Sequence, residues 1–344
     1  MKKTKYSSYL KGKHTKGCKL CVKGHKMVLF VTGLCSRGCE FCPLSGMRKN
    51  IDKVYANERK IDSFEEIIEE VKVSGAKGCS LTGGDPLLKL DRTIELATKL
   101  KEVFGKKFHI HIYVSTKLVT EEKLKKLSTC VDEIRFHPDF DRPVKDEVKK
   151  IALATKFWKK KNIGIEIPCF PDKIDNILEL VKEVSPYISF LNMNELESGE
   201  FSEKYMSKKY KISKDGYTIK DSIDAGKYIM NRLSELGHPI SDINTHLCTA
   251  ELKNWHQYRN RLKNYKIPKF SKMTDDGTIV YFAMRYDEEF LETLPPKKCY
   301  HDIPKHRIIL EPKLASKIKD TYSVYRIEEY PTYEREECEV EKLE

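Results

Sequence analysis

Residues 63–86 read SFEEIIEEVKVSGAKGCSLTGGDP. Ser63 followed by Glu66 is a capping box, apolar residues then recur at helical spacing, and Gly75 closes the segment. The stretch 78–86 that follows is a short strand running into a glycine turn. A helix leading into a strand within so few residues is one repeat of an α/β architecture.

The same alternation extends in both directions. Strands are expected over 26–34 (KMVLFVTGL), 108–115, 131–137, 163–170 and 187–196, and helices over 90–105, 120–128, 144–161 and 173–185. Six strands, each followed by a connection of crossover length, predict a parallel sheet with right-handed crossovers. The expected fold class is therefore α/β, a partial (β/α)6 barrel with chemistry at the carboxyl ends of its strands. Beyond residue 197 the pattern loosens into a lysine-rich loop (203–216), a helix (222–237), a strand (239–248) and a basic helix (249–266). Strand-like pieces at 277–286, 306–312 and 322–330 predict a small, mainly β tail. The expected division is a basic arm with a metal half-site (1–25), a barrel core (26–200), a helical extension (201–270) and a small α+β subdomain (271–344).

The chain has 344 residues, 40% hydrophobic, enough for a filled core. No apolar run is long enough to cross a bilayer, and the first 26 residues are lysine-rich without an apolar centre, so neither membrane insertion nor export is expected. Cytoplasmic residence is the expectation. Eleven cysteines then point to reduced thiols, metal ligation or catalysis. The net charge of +12 favours a polyanionic partner such as RNA, although a lysine-rich surface is also a thermophile habit. The bias is local at the amino terminus, where residues 1–26 hold no Asp or Glu.

Five of the cysteines lie between residues 18 and 42. In FVTGLCSRGCEFCPLSG (30–46), Cys35, Cys39 and Cys42 follow the first barrel strand. Three thiolates are one short of a closed structural zinc or iron–sulfur site, so a fourth position is left for something else. Cys35-x3-Cys39-x2-Cys42, with aromatic Phe41 before the last cysteine, resembles the signature of the radical S-adenosylmethionine (SAM) superfamily. A second feature agrees: Gly83, Gly84, Asp85 and Pro86 stand where that superfamily carries Gly-Gly-Glu-Pro, with Asp replacing Glu.

The resemblance spans roughly residues 26–196 and is nearest to archaeal relatives of pyruvate formate-lyase-activating enzymes. It implies a [4Fe–4S] cluster on the three cysteines and SAM at the open iron, its ammonium held at Gly83–Pro86. Further SAM contacts are expected from Ser115 and Thr116, from Arg135 or His137 toward the carboxylate, and from Glu166, Asn192 and Asn194. A 5′-deoxyadenosyl radical would then take hydrogen from a substrate, with a ferredoxin or flavodoxin as electron donor. The substrate could be RNA, a protein or a small metabolite.

Cys18-x2-Cys21 is a second metal half-site, and His246-x-Cys248 is a candidate partner half. Zinc, an auxiliary iron–sulfur cluster or two unrelated pairs all fit those letters. A zinc-dependent nucleic-acid-binding module without catalysis is the alternative to an enzyme.

Overall fold

The computed structural model describes residues 1–286, 295 and 297–344. Its main sheet has eleven strands: β1 (Lys2–Lys3), β2 (Tyr9–Lys11), β3 (Met27–Thr32), β4 (Val54–Ala56), β5 (Arg59–Ile61), β6 (Gly78–Gly83), β7 (His109–Ser115), β8 (Glu133–His137), β9 (Ile163–Cys169), β10 (Phe190–Glu195) and β11 (Asn244–Cys248). Their order is β1-β2-β11-β10-β9-β8-β7-β6-β3-β4-β5. From β3 to β11 the neighbours are parallel, and an antiparallel pair finishes each end. No ring closes, so the sheet is a partial barrel.

The crossovers carry α2 (Phe64–Val73), α3 (Leu90–Phe104), α4 (Glu121–Leu127), α5 (Val144–Ala152), α6 (Ile174–Val184) and α8 (Ser222–Glu235), while α1 (Lys16–Val22) precedes β3 and α7 (Glu203–Lys209) precedes α8. Alternation along each strand divides the sheet's faces. Leu29, Leu81, Ile112, Ile134, Ile165, Met193 and Leu247 lie on one face and join the principal apolar core. The opposite face presents His109, His111, Glu133, Arg135, Glu166, Asn192 and His246, most of them buried.

Several expectations need correction. The parallel sheet has seven strands, not six, because β11 pairs with β10 (Asn192↔His246, Asn194↔Cys248). Residues 1–25 are not a separate arm: β2 pairs with β11, and α1 lies over the polar face. Thr15 caps α1 by accepting from the Cys18 N–H (3.2 Å), a local signal the sequence did carry. The lysine-rich loop contains α7, and residues 54–61 form the β4–β5 hairpin with Asn57 at φ 55° in its turn. The helix expected over 144–161 ends at Ala152, where 3-10 turns let buried Trp158 donate to the Val131 carbonyl (2.9 Å). The basic helix over 249–266 is a π-helical segment (Leu252–Gln257) continued by α9 (Tyr258–Leu262).

The tail forms a six-stranded antiparallel sheet with its own small cores. Arg307 and Arg335 both pair there with buried Asp302 and Glu329. Residues 287–294 and 296 of the expected tail lie outside the described residues.

Candidate functional site

The cysteine loop leaves β3 at the carboxyl-end rim of the sheet, and the glycine turn leaves the adjacent strand β6. The two are zipped together by backbone hydrogen bonds. Gly84 N–H donates to the Thr32 carbonyl and Asp85 N–H to the Leu34 carbonyl, each at 2.8 Å. Such closeness requires glycine. A Cβ on Gly84 would stand 2.2 Å from the Leu34 oxygen, and one on Gly83 2.3 Å from the Thr32 oxygen, with Gly83 also at φ 150°. We expect Gly84→Ala to push the turn off the cysteine strand and cost about 1–3 kcal/mol. Thermal denaturation checks the stability loss, and SAM titration the accompanying loss of binding.

The turn ends on Asp85, whose Oδ1 accepts from Leu87 N–H (3.0 Å) and caps a 3-10 helix begun by Pro86. Its Oδ2 is buried with no hydrogen-bond partner. Burial raises the Asp85 pKa to about 6, outweighing the Leu87 N–H and the more distant charges of Lys123 and Arg37. An unsatisfied carboxylate oxygen is costly unless a donor occupies the site, and an ammonium group fits that need.

All three loop cysteines are free thiols. Burial raises the pKa of Cys35, which also feels Asp85 and Cys42, and that of Cys39, which feels Cys35 and Cys42. Among the described residues, no three His, Cys, Asp or Glu side chains surround a single point as ligands of one ion would. Thiolates that hold a cluster each bind a different iron, so the triad suits a cluster better than a lone ion.

The loop is braced from the neighbouring strands. Arg37 pairs with Asp139 (3.2 Å) and donates to the His137 and Pro138 carbonyls (3.0 and 3.1 Å). Lys117 donates to the Ser36 carbonyl (2.6 Å). Phe41 packs edge-on against Phe170 with centroids 4.8 Å apart. Beside them opens a cavity of about 250 Å³, lined in part by Cys39, Phe41, Lys117, Arg142, Phe170 and Tyr205.

A profile of the Radical SAM superfamily matches residues 29–152. A Methanocaldococcus jannaschii protein named as a glycyl-radical enzyme activating enzyme is 36% identical over 352 residues, spanning 94% of this chain and 91% of that one. The chain belongs to the radical SAM superfamily. Among solved structures, the radical SAM methyltransferase TsrM of Kitasatospora setae, with tryptophan and aza-SAM bound, matches at a TM-score of 0.38 and 10% identity, over 57% of this chain and 42% of that one.

This radical SAM protein is therefore an enzyme, and membership implies a [4Fe–4S] cluster and SAM. Among the described residues, no helix is long and apolar enough to cross a membrane.

The remaining expected SAM contacts divide. Ser115 stands at the rim, accepting from Lys117 N–H (3.2 Å). His137 lies beside the loop, 6.1 Å from the Phe41 ring, with Nδ1 3.1 Å from the Glu166 carbonyl; burial lowers its pKa to about 4 and keeps it neutral. Thr116 is turned inward and donates to Glu147, so it holds the fold. Arg135 is also committed elsewhere. It donates to Glu133 (2.8 Å), Glu166 (2.6 Å) and Thr15 (3.1 Å), and two carboxylates already neutralise it. Asn192 and Asn194 donate to Glu166, each at 3.1 Å, within the same network.

Sequence reading missed His14, Thr15 and Gly17, which carry α1 onto this polar face. A Cβ on Gly17 would come within 2.6 Å of both Arg135 Nη2 and His111 Nδ1. The only local signal was Thr15 before a short apolar-and-cysteine run.

Proposed function

We propose that this enzyme holds a [4Fe–4S] cluster on Cys35, Cys39 and Cys42 and uses SAM to remove hydrogen from a protein substrate, as an activase does. The observation that carries the reading is the joined rim. Hydrogen bonds from Gly84 and Asp85 to the backbone just before Cys35 set three free thiols beside an unsatisfied buried carboxylate oxygen.

When bound, the cluster and SAM supply one-electron cleavage of the sulfonium to methionine and a 5′-deoxyadenosyl radical. The chain's own residues do the rest. Asp85 Oδ2 accepts from the SAM ammonium, and the Gly83 and Gly84 carbonyls offer further acceptors there, since the Gly84 N–H is already engaged. Phe41 and Phe170 present an apolar wall that limits water near the reacting carbon. Arg37 and Lys117 tie the loop to its neighbours and so fix where the thiolates point.

A ferredoxin or flavodoxin is the class of electron donor this chemistry requires. The name of the M. jannaschii relative supports a protein substrate over a small metabolite; salt-sensitive binding of RNA would point to RNA instead. The direct test is anaerobic reconstitution with iron and sulfide, then dithionite and SAM. Stoichiometric methionine and 5′-deoxyadenosine are expected; a reconstituted protein that leaves SAM intact would refute the reading.

A further inference from the structure

The polar face of the sheet holds a second group of cysteine and histidine side chains. Gly17, Cys18 and Val22 are buried on α1, with Cys21 part-buried beside them, while Lys16, Lys19 and Lys23 stay outside. On β11, His246 and Cys248 are two residues apart and therefore share a face, directly beside Asn192 and Asn194 of β10. His14 comes from the segment before α1, its ring edge-on to His246 with centroids 4.6 Å apart. Cys18 is within hydrogen-bonding reach of both imidazoles. Its Sγ also receives the Asn192 amide (3.3 Å) and lies 3.5 Å from Arg135 Nη2.

Cys248 also packs in a small apolar cluster with Val22 and Leu252, but packing does not account for Cys18. Cys79, Cys130 and Cys169 are buried in the apolar core on the other face, as small hydrophobes are. Cys18 is instead surrounded by nitrogen donors. Nδ1 of His14 is buried with no partner, which leaves that ring nitrogen for something else, while His246 spends Nε2 on Ser8 Oγ (3.2 Å).

We propose that Cys18, Cys21, His246 and Cys248, with His14, hold a second metal centre, separate from the Cys35–Cys39–Cys42 triad. Mixed thiolate and imidazole donors select zinc or an iron–sulfur group over hard cations. The donors are spread across the region, so a lone ion draws side chains inward, whereas a cluster takes separate metals on separate thiolates. Asn192 and Arg135 then serve as hydrogen-bond donors to metal-bound sulfur and fix its orientation. Because one half-site is on α1 and the other on β11, the metal would pin the amino-terminal segment across the sheet.

The test begins from the full-length chain with Cys35, Cys39 and Cys42 all replaced by Ala, so that the first cluster cannot contribute. Purified anaerobically, that chain is expected to retain about one metal centre. Zinc without labile sulfide identifies an ion, and iron with labile sulfide identifies a cluster; either supports the site. Adding Cys18→Ser and Cys248→Ser should remove that metal. Absence of metal from the triad-free chain, or its undiminished retention after the second pair of changes, overturns the proposal. X-ray absorption at the retained metal's edge covers the case in which those further variants fail to fold. Sulfur and nitrogen neighbours support the site, and an all-oxygen shell overturns it.

Discussion

Replacing any one of Cys35, Cys39 or Cys42 with Ala is expected to reduce 5′-deoxyadenosine release by at least about 100-fold, beyond what changes outside the metal's direct ligands usually cost. Each thiolate would bind a different iron, so the remaining two cannot compensate by shifting position. Cys79, Cys130 and Cys169 sit in the apolar core and Cys18 is engaged with Asn192 and Arg135 on the polar face, so none of these four is placed to substitute. The loop itself should survive the change. Its bracing runs through Arg37, Lys117 and backbone carbonyls, and the thiols add only a long hydrogen bond from the Arg37 N–H to Cys35 Sγ (3.4 Å). Iron content per chain and product release, measured together, check this. A single variant that kept full iron and full turnover would remove that cysteine from the ligand set.

Asp85→Asn should separate stability from binding. The folded-state pKa of Asp85 is about 6, against an ordinary value of 3.8, because the carboxyl is buried. Two units correspond to roughly 3 kcal/mol. The sign follows from proton counting. Between about pH 4 and pH 6 the folded chain holds a proton that the unfolded chain has lost, so stability falls as pH rises through that window. Below it the cost is absent; above it the cost is complete. Asn keeps an oxygen for the Leu87 N–H but carries no charge to bury. The variant should therefore be more stable than the parent at pH 7 and nearly equal to it at pH 4. It should also bind SAM roughly 10–100-fold more weakly, having lost a charge-assisted hydrogen bond to the ammonium. Denaturation at both pH values, with SAM titration, checks the pair. Equal stability at pH 7 would show that the carboxylate is already satisfied.

The two motifs that name the chemistry were legible because each is local. Three cysteines within eight positions and a Gly-Gly-Asp-Pro turn need no distant partner to be noticed. The main strands were legible too, since β-branched runs alternate with capped helices. Which polar residue serves SAM was not. Arg135, Glu166 and Asn192 all sit on strands reaching the rim, and spacing alone makes each a reasonable contact. What spacing could not show is how they pack across strands: Arg135 finds Glu133 two residues away and Glu166 on β9, and Asn192 closes on the same Glu166.

Local order along the chain settled the α/β class, the motif at the end of the first barrel strand and the turn at the end of the second, because capping, periodicity and glycine sterics act over a few residues. Tertiary structure alone decided that residues 1–25 join the sheet, that β11 becomes a seventh parallel strand, and that Cys18 and His246 meet. Those outcomes depend on strand pairing and burial between distant segments, more than two hundred residues apart for β2 with β11 and for Cys18 with His246. Over such a distance no neighbouring residue biases the contact, and only the free energy of the assembled sheet selects it.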